Sequence, residues 1–178
     1  MRAFLSELRL YIGNAFVAYI PVHAIRLFYY RRVLGFRIGP GSSIFMACRF
    51  DCSGGLTVGA NTTINEGCFL DTRGSIVIGN CVAITSGVWI STVKHDLESA
   101  TFGAISAPVE IGDFAFLGRR STVLQGCRIG RGAILGAGSV LTKSIPDYEV
   151  WAGNPARKIS QRHQRDFDYN CHYLRLFH

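Results

Sequence analysis

An apolar residue returns every six positions through most of this chain. It falls at Ile38, Ile44 and Phe50, then at Val58, Ile64 and Leu70, then at Ile78, Ile84 and Ile90. After a gap the series resumes at Ile111, Leu117, Val123, Ile129, Leu135 and Leu141. The next position is often glycine, as at Gly39, Gly59, Gly79, Gly112, Gly118, Gly130 and Gly136. Four positions after each apolar residue comes a small one, such as Ser42, Cys48, Thr62, Cys68, Val82, Ala115, Ser121, Ala133 or Ser139. A period of six fits neither an amphipathic helix nor one long alternating strand. It fits a solenoid in which each hexad is a short strand and a corner. The large residue points into a narrow interior, and the small one also turns inward where a leucine has no room. Coils stacked at about 4.8 Å bury one continuous core that no single repeat can bury alone.

A second period fixes the cross-section. Ile38-Gly39, Val58-Gly59 and Ile78-Gly79 lie 20 residues apart. Twenty is three hexads plus two, so one coil has three sides and a widened corner. Those corners read Asp51-Cys52-Ser53-Gly54-Gly55 and Asp71-Thr72-Arg73-Gly74-Ser75, both rich in turn formers. The fold class expected is an all-β solenoid: a parallel β-helix of hexapeptide repeats with short N- and C-terminal helical segments.

The 178 residues suffice for one ordinary domain, and 48% hydrophobic content argues against disorder. The net charge of +7 favours anionic partners. The basic residues are scattered and form no run within the repeat, which argues against nucleic acid. The six cysteines do not read as a disulfide framework. Cys48, Cys68 and Cys127 occupy inward slots as small hydrophobes, and no Cys-x-x-Cys occurs. A reducing, cytoplasmic compartment and no metal site are expected.

Three segments follow. Residues 1–36 carry Leu5, Leu8, Ile12, Phe16 and Tyr19 at helical spacing, a break at Pro21, and a second run mixing Phe28, Tyr29 and Tyr30 with Arg26, Arg31 and Arg32. The longest uncharged stretch, residues 10–25, is shorter than the ~20 apolar residues of a spanning helix. Two readings stay open for this segment. It is a helical lid on the first coil, or an amphipathic helix lying peripherally on anionic lipid at the inner face of the membrane. Residues 37–155 are the solenoid. Residues 156–178 are basic and aromatic, and read as a C-terminal helical tail packed along the prism.

The gap in the period, about residues 93–108, should leave the prism as a loop. It starts Ser91-Thr92-Val93-Lys94-His95-Asp96, and His95 is the only histidine within residues 38–150. Imidazole titrates near neutral pH and suits general-base work, and loops on rigid scaffolds often carry function.

At these residues the chain resembles the hexapeptide-repeat acyltransferases with a left-handed β-helix, the group of galactoside, maltose and exopolysaccharide O-acetyltransferases. The matching stretches are Ser91-Thr92-Val93-Lys94-His95-Asp96, Pro108-Val109-Glu110-Ile111-Gly112-Asp113, Ile134-Leu135-Gly136-Ala137-Gly138-Ser139-Val140-Leu141-Thr142-Lys143 and Ala152-Gly153-Asn154-Pro155-Ala156-Arg157. The left hand comes from the resemblance, since parallel crossovers are otherwise right-handed. The resemblance implies a homotrimer with active sites between subunits and direct transfer from acetyl-CoA to a saccharide hydroxyl. It makes His95 the catalytic base, with Asp96 beside it either to orient or charge-stabilise the ring or to cap the loop. It places the donor on Gly118, Arg119, Gly136, Ala137, Thr142, Lys143 and Arg157. It places the acceptor on Asn65, Glu66 and Asp71. Two departures stand out: Phe116 replaces a tryptophan common in relatives, and Arg119, followed here by Arg120, stands where many relatives carry a small residue. The alternatives are an acyl carrier protein donor and a non-catalytic binding scaffold on the same prism.

Overall fold

The computed structural model describes residues 2–173. It is a left-handed parallel β-helix of about six coils, closed at its first end by helices. The first wall stacks Arg37–Ile38, Leu56–Val58, Ile76–Ile78, Val109–Ile111 and Arg128–Ile129. The second stacks Ser43–Ile44, Thr63–Ile64, Ala83–Ile84, Phe116–Leu117, Ile134–Leu135 and Glu149–Gly153. The third stacks Arg49–Phe50, Phe69–Leu70, Trp89–Ile90, Thr122–Val123 and Val140–Leu141. Three ridges run between them, here called first (walls one to two), second (two to three) and third (three to one).

The six-residue period maps onto this prism residue by residue. Ile44, Ile64, Ile84, Leu117 and Leu135 form an inward column on the second wall with no solvent exposure. Ile38 alone of the fifteen large hexad residues is only partly buried. The small slots are buried as well, and their polar members have a further use. Ser42 Oγ donates to the Gly59 carbonyl (2.6 Å) and accepts the Thr62 N–H (2.9 Å). Thr62 Oγ1 repeats this one coil on, with Gly79 O (2.8 Å) and Val82 N–H (3.0 Å). Small hydroxyls in a dry corner thus stitch coil to coil and leave few unpaired polar groups. At Gly59 a Cβ would lie 2.6 Å from the backbone of Gly79, so glycine is required by the stacking distance.

The first coil exposes strand backbone that has no coil beneath it. Helix α1 (Arg2–Ala15), a short 3-10 turn (Val17–Tyr19) and helix α2 (His23–Arg32) close it. Their polar side chains act as substitute strand. Asn14 Oδ1 accepts the Phe50 N–H (3.0 Å) and its amide donates to Phe50 O (2.8 Å). His23 Nε2 accepts the Ile44 N–H (3.3 Å), and Arg26 donates to the carbonyls of Ile44 (3.4 Å) and Ile20. Tyr30, Phe36 and Phe50 pack edge-on at 4.8–5.2 Å and carry the core into the lid. Because His23 is desolvated and near Arg26, Arg31 and His172, its pKa is lowered to about 4. The ring is therefore neutral and can accept.

The other end differs from expectation. Residues Ala156–Gln161 form no helix; they turn back as a strand antiparallel to Glu149–Gly153. The Gly153-Asn154-Pro155-Ala156 run is the hairpin turn between them. The reason is the open edge of the last coil, which an adjacent strand satisfies and a helix does not. Residues 162–173 then run extended along the first ridge, back towards the first coil. Phe167 sits over Gly132, Tyr148 and Phe114. Tyr169 Oη donates to Phe114 O (3.2 Å), Cys171 N–H to Asn61 O (3.1 Å), and Ser43 Oγ to Tyr173 O (3.3 Å). The tail does pack along the prism, as an extended strap. Arg175 and Phe177 lie outside the described residues.

Candidate functional site

The gap in the period is a β-hairpin that leaves the third ridge. Val93–His95 pairs antiparallel with Ala104–Ser106, and residues 96–103 form the tip. The chain exits and re-enters through Thr92, whose carbonyl accepts the Ala107 N–H (2.9 Å). Thr92 is buried and locked to the coil below. Its N–H donates to Asp71 Oδ2 (3.1 Å) and its Oγ1 to Asp71 O (2.7 Å), while Oγ1 accepts the Gly74 N–H (2.8 Å).

Asp71 is itself buried. Desolvation pushes its carboxyl up, but hydrogen bonds from Arg73 and from the backbone N–H groups of Thr92 and Arg73 outweigh this and hold it below its ordinary value. Arg73 reaches Asp71 at 2.8 Å and Asp51 at 3.3 Å. Asp71 thus anchors the hairpin base.

His95 ends the outgoing strand and is exposed. Its ring stacks flat on Phe102, with centroids 4.5 Å apart and planes 5° from parallel. Its Nδ1 lies 2.7 Å from Phe102 O. A carbonyl only accepts, so Nδ1 carries the proton and Nε2 of the neutral ring holds a lone pair. That is the tautomer a base acting through Nε2 needs. Asp96 does not hold the ring; its Oδ1 accepts the Glu98 N–H (3.1 Å) and shapes the tip. Phe102, with φ +49°, is the orienting residue, and no sequence period marks it. A non-glycine residue in that conformation, opposite the histidine, is the structural feature that marks it.

The remaining site residues fall on two ridges. Register carries Leu70, Ile90, Val123 and Leu141 up the third wall. Asp71, the hairpin base, and Thr142 with Lys143 therefore share the third ridge. Thr142 stands two rungs above Ser91, roughly 10 Å at strand spacing. Ile64, Ile84, Leu117 and Leu135 are in register on the second wall, placing Asn65, Glu66, Gly118, Arg119, Gly136 and Ala137 on the second ridge. Arg157 pairs with Ala152, whose Cβ approaches Gly136. Within one chain the third wall separates His95 from this second group.

Several members also have plain structural work. A Cβ at Gly118 would meet the backbone of Gly136 and Ala137. The Asn65 amide donates to Ile84 O (2.9 Å), and Glu66 accepts from Ser86 Oγ (2.5 Å). Thr142, Lys143, Arg119 and Arg157 are exposed. Among the described residues no three His, Cys, Asp or Glu side chains converge as a metal site.

Comparison with known proteins agrees with the fold. Residues 108–143 match the bacterial transferase hexapeptide model of six repeats. A probable acetyltransferase of Mycobacterium tuberculosis is 42% identical over 60 residues, 34% of this chain and 20% of that protein. A 2,3,4,5-tetrahydropyridine-2,6-dicarboxylate N-acetyltransferase of Staphylococcus aureus is 41% identical over 56 residues, 32% of this chain and 23% of that one. The match thus spans about a fifth of these curated relatives. Solved structures align far more fully. A hexapeptide-repeat acetyltransferase of Vibrio cholerae gives a TM-score of 0.82 at 22% identity over 89% of this chain and 91% of the other. A maltose O-acetyltransferase of Clostridium difficile gives 0.79 at 28% over 92% and 87%, and a galactoside acetyltransferase in complex with coenzyme A gives 0.78 at 25% over 92% and 84%. The family match lies within residues 108–143, and the structural neighbours named above are acetyltransferases, maltose and galactoside enzymes among them.

Proposed function

We propose that this protein is a cytoplasmic O-acetyltransferase that moves acetyl from acetyl-CoA to a hydroxyl of a saccharide, with His95 as general base. The observation that carries this reading is the ring of His95, held on the ejected hairpin by Phe102 with Nδ1 turned to the Phe102 carbonyl. The neighbour with coenzyme A bound and the maltose O-acetyltransferase support donor and acceptor class.

Nε2 takes the proton of the acceptor hydroxyl as its oxygen attacks the thioester carbonyl. Negative charge moves to the carbonyl oxygen, where a backbone N–H is the usual stabiliser. The carbon–sulfur bond then breaks, and the imidazolium returns its proton to the leaving sulfur. The acceptor oxygen ends acetylated with no acyl-enzyme. Asp96 keeps the hairpin tip in shape and adds a negative charge close to the imidazolium. Lys143 and Arg157 suit the donor's phosphates, with Arg119 adding charge on the second ridge. Gly118, Gly136, Ala137 and Thr142 offer bare backbone and a hydroxyl to the pantetheine arm. Asn65 and Glu66 face the acceptor, while Asp71 serves it indirectly by fixing the hairpin.

The reading requires a homotrimer. His95 and the second-ridge group sit on different ridges of one chain, so a neighbour's second ridge must complete the site. The exposed apolar surface around the hairpin fits such a contact: Trp89 is 57% exposed beside Phe69, and Leu97, Phe102 and Ile105 are exposed near His95.

The test is His95→Ala assayed with acetyl-CoA and candidate glycans by mass spectrometry. Loss of transfer by about 100-fold or more is expected, with the assembly and thermal midpoint retained. Full activity in that variant rejects the mechanism, and no binding of coenzyme A by the wild type rejects the donor.

A further inference from the structure

Helix α1 is amphipathic in an unusual sense: its wider apolar side faces away from its own protein. Leu10 and Gly13 are buried against the lid and first coil. Turned through a 3.6-residue helix, Phe4, Leu5, Leu8, Tyr11 and Ile12 fall roughly opposite them, and all are exposed. The surface continues past the helix through Phe16, Tyr19 and Val22 to Ile25 and Phe28 on α2, where the buried side is Arg26, Leu27 and Tyr30. Phe4 is 67% exposed and Phe28 64%. So long a run of exposed aromatic and aliphatic side chains marks an interaction surface.

Its charge identifies the partner. Residues 1–36 hold five arginines and a single carboxylate, Glu7. Arg9, Arg31 and Arg32 are exposed, and the last two line a concavity of about 430 Å³ with His23 and Phe28. A second copy would set like charge against like charge. An anionic lipid surface accepts the apolar side chains into its interface and the arginines at its head groups. No helix among the described residues is long and apolar enough to cross a membrane, so contact is in the plane of the surface.

We propose that α1 and the outer side of α2 form a docking surface for an anionic membrane. The hairpin base lies two rungs, roughly 10 Å, above the coil that these helices cover. On the acetyl-transfer reading, that height holds His95 over a saccharide carried on a lipid.

The experiment is co-sedimentation of full-length protein with vesicles of phosphatidylcholine, with and without phosphatidylglycerol. The wild type is expected to bind the phosphatidylglycerol vesicles, and more weakly as salt rises. The triple variant Leu8→Ser, Tyr11→Ser, Phe28→Ser should bind about tenfold or more weakly, with unchanged thermal midpoint and elution volume. Arg9→Glu with Arg32→Glu should remove the preference for anionic over neutral vesicles. No binding by the wild type, equal binding by the triple variant, or a smaller assembly in the triple variant overturns the proposal. The last result makes the surface a contact between copies. Vesicle binding retained in His95→Ala separates this outcome from that of the acetyl-transfer test.

Discussion

The prism and the hairpin it ejects obey opposite rules. In the prism each inward residue is fixed by the coils above and below, and nearly all large hexad residues are buried. In the hairpin His95, Leu97, Phe102 and Ile105 are exposed, and order comes from one ring stack and a few hydrogen bonds. Stability therefore resides in the prism and the proposed chemistry in the hairpin, and the two meet at Thr92 and Asp71. The contrast shows why a repeat must be broken to make a site. A residue inside the column has neither solvent nor substrate beside it.

Substitutions can test whether that division holds, beginning with the largest effect expected. Ile84→Ala removes buried volume from the middle of the column and should cost about 2–5 kcal/mol in denaturant unfolding. A smaller loss would mean that the coils relax around the cavity. Asp71→Asn acts at the junction: it keeps the shape but removes the charge that Arg73 and Thr92 hold. A loss of about 1–3 kcal/mol together with reduced transfer is expected from unfolding and activity assays on one preparation. If activity falls with no change in stability, Asp71 belongs to the site alone.

Phe102→Ala acts only in the hairpin. It should lower kcat about tenfold to a hundredfold and leave KM for acetyl-CoA and the thermal midpoint unchanged. An unchanged kcat would show that the stack does not position the base.

The smallest effect is expected at the lid. His23 is neutral when folded, with a pKa of about 4 against 6.5 in an unfolded chain. The unfolded chain binds the extra proton between those values, so stability is complete above about pH 6.5 and declines towards pH 4. His23→Gln, which retains an acceptor for the Ile44 N–H, should flatten that slope in thermal midpoints measured across the range.

The sequence reveals the prism because its cause is local and repeated. Each hexad states the same requirement, so chance agreement at Ile44, Ile64 and Ile84 is excluded by repetition. The hairpin is visible as the place where repetition stops, and His95 as the one histidine inside the repeat. What the sequence conceals is single-use contact. Asn14 looks like a polar interruption of an apolar helix, yet its amide completes the backbone of Phe50, 36 residues away. Phe102 looks like one more loop aromatic. The tail from Ala156 carries basic and aromatic residues that read as a helix, and the vacant edge of Glu149–Gly153 makes it a strand instead. The two-ridge arrangement of Gly118, Gly136 and Lys143 needs the coil register, which three matched corners specify only after stacking.

The strap over the first ridge changes how such an array comes apart. In a plain stack each coil touches only its neighbours, so ends fray one rung at a time. Here Arg162 is bonded to Tyr148 and Gly132 at one end, while His172 and Tyr173 are bonded to Gly41 and Ser43 at the other. A row of loosely coupled rungs is thereby bound lengthwise like a sheaf, and opening either end strains a tie that reaches the other.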